Sequence, residues 1–337
     1  MSTTSTPATI TPTSRFVWLV KREFWEYRGS FMWAPAITAM VMLALFVMAL
    51  VSAEIFGQQH GLNMSGIRID ELSRHLDAAD YDKAHAGIDF GLLAMGFPIG
   101  ITLFFVTLFY CIGALYNDRA DRSVLFWKSM PLSDTETVLA KVVTVAFVAP
   151  VFAIAALIAL HLGFLVLMSV YMLLHGINVL SLLWSPTHLA ALWVKLLVLI
   201  PVNALWALPS IGWLMMCSSY ARSKPFLWGV MLPIVSGVLV SWVNLMQSMS
   251  LASGWYWRNI VGRALLSMVP GGWMDTVALR ELEHSGGNPP EAIANLLSFD
   301  AIGSALAAPD LWIGVAAGAA MIAAAVYFRR SRIESFA

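Results

Sequence analysis

The sequence predicts an all-α polytopic membrane protein. Of its 337 residues, 59% are hydrophobic and only 12% are charged, whereas soluble domains carry about 25% charged residues. Six apolar runs reach the roughly 18 to 20 residues that a helix needs to cross about 30 Å of hydrocarbon. Strands are excluded as spans, because no alternating pattern of about ten residues repeats along the chain.

The N-terminal residues predict a tail and an interfacial helix. Residues 1–14 are rich in Ser, Thr and Pro and have no apolar core of a signal peptide, so we expect a disordered cytoplasmic tail. In residues 15–30, apolar side chains recur at helical spacing from Phe16 to Phe24, which predicts an amphipathic helix along the inner membrane surface. We assign its charged side chains to the remaining faces: Lys21, Arg22, Glu23 and Glu26.

The transmembrane domain takes up residues 31–337. Its six predicted spans cover about residues 34–55, 92–115, 138–174, 189–217, 226–246 and 311–328. The main loops are 56–91 and 247–310 on the outside and 116–137 on the inside. Within 247–310, the interfacial aromatics Trp255 and Trp257 and the helix-breaking Pro270-Gly271-Gly272 predict short re-entrant-type helices before the last span.

Lys and Arg are distributed unequally between the two sides of the membrane. With the N-terminus inside, thirteen basic residues lie inside, six lie outside and Lys195 lies within span 4, which accounts for all 20. Cytoplasmic loops carry the excess of basic residues, so we expect both termini in the cytoplasm. The predicted location is the plasma membrane, most simply a bacterial inner membrane. Cys111 and Cys217 fall near cytoplasmic span ends, where we expect reduced thiols.

The sequence has none of the common signatures of an enzyme. It contains no G-x-x-x-x-G-K-[ST] phosphate-binding loop and no H-E-x-x-H or C-x-x-C motif, so we expect no ATP hydrolysis and no bound cofactor in this chain. His60, His75 and His85 share loop 56–91 with several carboxylates. Their spacing differs from the tight grouping of a zinc site, and we predict no metal there.

Several polar residues lie within the predicted spans, where they are costly and often functional. We interpret His161 as a neutral histidine bonded within the bundle, and Lys195 as a side chain that reaches the outer interface. Asn203, Asn244 and Gln247 have two open interpretations. They attach helices to one another, or they line a translocation path.

Loop 116–137 is charged and aromatic although it lies between two apolar spans. Because such a loop lies in water, the apolar pair Phe126-Trp127 within it indicates a partner surface. Ser133-Asp134-Thr135-Glu136 is a capping box that begins the next helix. The short helix expected at Ser123–Met130 is then fixed at both ends, which suits a docking element. A helix that lies on lipid is the alternative.

The run Leu115–Lys141, LYNDRADRSVLFWKSMPLSDTETVLAK, resembles the intracellular loop of permease subunits in the type-2 ATP-binding cassette (ABC-2) exporter family. The shared features are an aromatic residue beside Leu, an acidic-Arg pair, the core Ser-x-Leu-Phe-Trp-Lys-Ser and a Pro-x-Ser-Asp junction. The basic N-terminal helix and the six spans agree more loosely with that family.

The resemblance implies a half-transporter. Two permease chains would pair, as a homodimer or a heterodimer, around a path formed mainly by spans 2 and 5. Each chain would receive a separate ATP-binding cassette subunit, which binds ATP and Mg. Membrane lipid is the other expected partner, and nucleic acid is not one. The residues implied in coupling to the ATPase are Asp118, Arg119, Asp121, Arg122, Ser123, Phe126, Trp127, Lys128, Pro131 and Asp134.

Two other classes of function remain open from the sequence. An intramembrane lipid-modifying enzyme requires polar catalytic residues clustered at one membrane depth. A non-transporting docking protein would have the loop but no water-accessible cavity. The apolar, Met-rich spans do not identify a substrate, since any helical bundle in lipid needs that composition.

Overall fold

The described part of the chain is helical almost throughout and contains no strand. The computed structural model describes residues 12–59, 78–130, 132–175, 184, 189–247, 253–274 and 299–331. Within these residues, six helices are long and apolar enough to cross a membrane, with 18-residue windows of mean hydropathy from 1.8 to 2.7. The predicted all-α polytopic fold class is therefore confirmed.

The first helices run in this order: α1 (Pro12–Arg28), a π-helical turn (Gly29–Trp33), α2 (Ala34–Gln59), α3 (Ala78–Ala120), the short α4 (Ser123–Ser129) and α5 (Asp134–Leu174), which contains a π-helical turn at Thr144–Val148. Next come α6 (Leu189–Tyr220), a π-helical turn (Leu227–Met231) and α7 (Leu232–Gln247). Last come α8 (Ser253–Tyr256, continued by Trp257–Gly262 and Arg263–Leu265), α9 (Phe299–Ala307) and α10 (Pro309–Ser331). The six span-length helices are α2, α3, α5, α6, α10 and α7 together with the π-helical turn that precedes it (Leu227–Met246).

Several helices extend beyond the predicted boundaries. α3 begins at Ala78 and not near residue 92, because an apolar run marks only the part of a helix that lipid can solvate. α1 begins at Pro12, three residues inside the predicted tail, and proline is well tolerated in the first turn of a helix. The rest of the tail lies outside the described residues. The same is true of His60 and His75 in loop 56–91, and of the side chain of His85.

α6 lies at the centre of the bundle and packs closely against α10. A Cβ atom on Gly318 would lie 2.6 Å from the carbonyl carbon of Leu208, and one on Gly212 would lie 2.6 Å from the carbonyl oxygen of Gly318. Small residues let membrane helices approach at backbone distance. The two helices therefore form a tightly packed pair.

The outer surface of the span-length helices is apolar. Phe97, Leu174 and Leu245 are 72%, 80% and 79% exposed. A soluble protein rarely leaves so much contiguous apolar surface in water, whereas lipid solvates it. This surface agrees with an integral membrane protein.

Residues 253–274 fold back into the bundle. Ser210, well inside α6, donates a hydrogen bond to the carbonyl of Arg263 at 2.9 Å. Thr107, in the middle of α3, donates to the sulfur of Met268 at 3.4 Å. The segment thus contacts two span-length helices away from their ends. A loop confined to the end of the bundle would not make these contacts.

Candidate functional site

The connection from α3 to α4 is a tight turn. Arg122 adopts the left-handed conformation, with φ of 62°, and reverses the chain. The Asp121 carboxylate accepts a hydrogen bond from the backbone N–H of Ser123 at 3.0 Å, and the Ser123 hydroxyl donates to the carbonyl of Asp118 at 3.3 Å. These bonds fix the start of α4 relative to the end of α3.

The connection from α4 to α5 ends in the predicted capping box, which is confirmed. The Ser133 hydroxyl accepts the backbone N–H of Glu136 at 3.1 Å. In return, the Glu136 carboxylate accepts the backbone N–H of Ser133 at 3.0 Å. The loop is therefore defined at both ends by local hydrogen bonds.

Replacing Ser133 with Ala should remove one half of this box and destabilise the first turn of α5 by about 0.5–2 kcal/mol. Hydrogen exchange of the backbone N–H of Glu136 should become faster in that variant. Ser129→Ala is the control, since the Ser129 hydroxyl donates to a carbonyl of its own helix, that of Phe126. Equal exchange in the two variants would contradict the role of the box.

The two aromatic residues of α4 have different surroundings. Phe126 is 60% exposed. Trp127 is half-buried, and the guanidinium carbon of Arg22 in α1 lies 3.5 Å from the centre of its ring. That cation–π contact attaches α4 to α1. The sequence indicated a partner surface for the pair, and the structure exposes Phe126 more than Trp127.

A network of buried charges lies beneath the loop. Glu23, Asp118, Lys141 and Arg329 are each no more than 4% exposed. The Lys141 ammonium lies 3.1 Å from Glu23 Oε2 and 3.4 Å from Asp118 Oδ1. The Tyr110 hydroxyl donates to the same Glu23 oxygen at 3.1 Å. The network therefore joins α1, α3 and α5.

Arg329, near the end of α10, extends the network to both ends of the loop. Its Nη1 donates to Asp118 Oδ2 at 2.8 Å, and its Nε donates to Asp134 Oδ1 at 3.1 Å. Arg22 lies 3.5 Å from Glu23 Oε1 and 3.0 Å from Glu26 Oε2 at the partly exposed edge of the network. The two buried carboxylates, Glu23 and Asp118, are thus matched by two buried cations, Lys141 and Arg329, and such matching avoids an uncompensated buried ion.

The residue next to Asp118 binds a different helix. Arg119 donates to the carbonyls of Ser218 and Ala221 at the end of α6, the second at 3.0 Å. The Ser218 hydroxyl in turn accepts the backbone N–H of Tyr116 at 2.9 Å. The start of the loop is thus attached to α6 by two independent contacts.

The structure separates the predicted coupling residues into exposed and internal ones. The exposed ones are Asp121, Arg122, Phe126 and Lys128, and the half-buried ones are Ser123 and Trp127. Those engaged in the bonds within the bundle described above are Asp118, Arg119 and Asp134. Pro131 lies outside the described residues.

Glu23 was predicted on a polar face of α1, and this prediction was wrong. Its side chain is buried, because Glu23 follows Leu19 by four residues and Val20 by three and so lies on the apolar face of the helix. That position is itself a sequence signal. A carboxylate on a buried face requires a buried cation, which here is Lys141.

The amides proposed for a translocation path bind the segment that folds back into the bundle. Asn203 Oδ1 accepts the backbone N–H of Gly271 at 3.2 Å, and Asn244 Nδ2 donates to the Ser253 hydroxyl at 3.4 Å. Both amides therefore have a packing role. The side chain of Gln247 lies outside the described residues.

His161 is buried between α3 and α6. Trp193 donates its indole N–H to His161 Nδ1 at 3.1 Å, and His161 Nε2 lies 2.8 Å from the carbonyl oxygen of Leu92. Since an indole nitrogen only donates, Nδ1 accepts and Nε2 carries the proton. The histidine is thus neutral, and both ring nitrogens have partners. Lys195 is half-buried on α6.

Metal-binding geometry is not found in the part of the chain that the structure describes, since no three His, Cys, Asp or Glu side chains there could hold an ion together. Cys111 and Cys217 are both buried free thiols. The polar network described above is therefore made of ion pairs and hydrogen bonds.

Comparisons with known proteins give no relative. No protein-family model matches the chain, and neither a curated protein nor a solved structure is significantly similar to it. The fold and the site define a polytopic helical membrane protein whose loop between α3 and α5 is attached to the bundle by buried ion pairs.

Proposed function

We propose that this chain is the permease subunit of an ATP-driven exporter of the ABC-2 type, with α4 as the coupling helix that docks into a separate ATP-binding subunit. The observation that carries the proposal is Phe126, a large apolar side chain that is 60% exposed on a short helix with fixed ends. Exposed aromatic anchors on rigid elements are typical of protein–protein contacts.

The proposed orientation places α4 in the cytoplasm, together with both termini. It follows from the excess of Lys and Arg in the loops on that side. The partner subunit would bind ATP and Mg there and supply the energy of hydrolysis. This chain would supply the path through the plasma membrane and bind no cofactor.

The proposed transporter contains two permease chains, with the path at their interface along α3 and α7. In support, α3 presents apolar side chains outward at every fourth position, which places them on one helical face: Phe97, Ile101, Phe105 and Phe109. A second copy can cover such a face and exclude lipid from it. In a working transporter the amides Asn203 and Asn244 would then act by positioning residues 253–274.

The test is co-purification of the tagged chain in detergent with a candidate ATP-binding cassette subunit. Phe126→Ala should weaken the complex by about 2 kcal/mol or more, or roughly 30-fold, which is the loss typical of a central anchor. Phe56→Ala is a matched control, since Phe56 is 58% exposed on α2, outside the proposed dimer face and away from α4. Retention of the partner by Phe126→Ala, or no partner with the wild-type chain, would contradict the proposal.

A further inference from the structure

A single side chain of α10 closes the base of the loop. The Arg329 guanidinium binds Asp118, which precedes the turn into α4, and Asp134, which begins α5. The two donors are different nitrogens of one rigid plane, Nη1 and Nε. A planar guanidinium fixes the separation of two carboxylates in a way that the point charge of a lysine cannot. Arg329 thus sets the distance between the two ends of the loop.

The helix that bears Arg329 is itself firmly packed. α10 contacts α6 through Gly318, whose absent side chain allows backbone approach to Leu208. At the end of α6, Ala221 accepts a hydrogen bond from Arg119, the neighbour of Asp118. The base of the loop is therefore bonded to both α6 and α10. Both helices are distant from the loop in sequence, so these bonds are tertiary contacts.

We infer that Arg329 is a positioning residue that transmits displacement of α4 to the α6–α10 pair. A push on α4 moves Asp118 and Asp134, and the buried ion pairs oblige Arg329 and its helix to follow. The inference rests on the proposed function in one respect, since the ATP-binding subunit is what displaces α4.

The first test uses the chain alone. Spin labels at Lys128→Cys on α4 and Ser331→Cys at the end of α10 report the distance between the two helices, and the buried Cys111 and Cys217 are protected from labelling. The wild-type arginine should give one narrow distance distribution. Arg329→Gln should add a second population with a different distance between α4 and α10. Arg329→Lys should add it too, because a lysine keeps the charge and lacks the planar guanidinium that binds both carboxylates.

Arg330 provides the matched control, because it is the exposed neighbour of Arg329 on the same helix. Arg330→Gln should leave the distance distribution unchanged. Should Arg329→Gln fail to fold, Asp134→Ala decides, since it removes the acceptor of the Arg329 Nε hydrogen bond and leaves the Asp118–Arg329 pair intact. Narrow distributions in Arg329→Gln, or in Asp134→Ala where it must decide, would overturn the inference.

The second test uses the complex with the ATP-binding subunit in liposomes. Arg329→Gln should still co-purify with that subunit, because Phe126 is untouched. Its stimulation of ATP hydrolysis in that subunit should nevertheless be about tenfold lower than that of the wild-type chain, which is within the usual effect of mutations on the coupling between two sites. Unchanged stimulation would also overturn the inference. If the wild-type chain binds no ATP-binding subunit, the proposed function fails, while the distance measurement still decides the role of Arg329.

Discussion

Replacing Lys141 with Met is expected to destabilise the protein by about 3–5 kcal/mol, the usual cost of removing one partner from a buried ion pair. Lys141 is fully buried between Glu23 and Asp118, at 3.1 and 3.4 Å. Methionine is similar in length to the lysine stem, so the loss reports the charge and not a cavity. The measurement is thermal unfolding of the purified protein in detergent, followed by tryptophan fluorescence.

Lys128→Met is the control for this substitution. Lys128 is exposed on α4, and surface changes usually stay within about 0.5 kcal/mol. A second variant, Lys141→Met with Glu23→Gln, removes one cation and one carboxylate together and should recover part of the lost stability. Equal unfolding of Lys141→Met and Lys128→Met would show that the network contributes nothing to the fold.

The features that the sequence predicted correctly depend on local signals. Six span-length helices follow from apolar runs, because the bilayer requires such runs wherever a helix crosses it. The capping box at Ser133 and Glu136 follows from two residues three positions apart. In both cases the residues that determine the structure are close together in the chain, so the pattern can be recognised in one sequence.

The buried network depends on contacts between distant residues, and the sequence predicted none of them. Glu23 and Lys141 are 118 positions apart, and Asp118 and Arg329 are 211 apart. From the sequence, Lys141 and Arg329 were counted only for the orientation of the chain, and no ion-pair partner was assigned to any of these four residues. Only Glu23 had a recognisable local signal, its place on the apolar face of α1.

The same distinction applies to the aromatic pair of the loop. An apolar ring in a charged loop is a local signal, and the exposure it predicts is found at Phe126, which is 60% exposed. Which ring faces outward depends on Arg22, a residue of another helix that covers Trp127. The relative exposure of the two rings could therefore not be derived from the loop sequence.

Replacing Gly318 with Ala is expected to separate α6 from α10 and to cost about 1–3 kcal/mol, as overpacking of a close contact usually does. The added Cβ would lie 2.6 Å from the carbonyl carbon and oxygen of Leu208. Those are backbone atoms and cannot rotate away, so one helix must move. Thermal unfolding in detergent measures the loss of stability.

Gly303→Ala in α9 is the matched control, since nothing lies within 4 Å of the Cβ that it would add. It should keep or slightly raise stability, because alanine is favoured over glycine within a helix. Similar unfolding of the two variants would mean that α6 and α10 do not pack at backbone distance. A separated α10 also draws Arg329 away from Asp118, so Gly318→Ala should displace α4 from α10 as Arg329→Gln does, although it leaves every charge of the network in place.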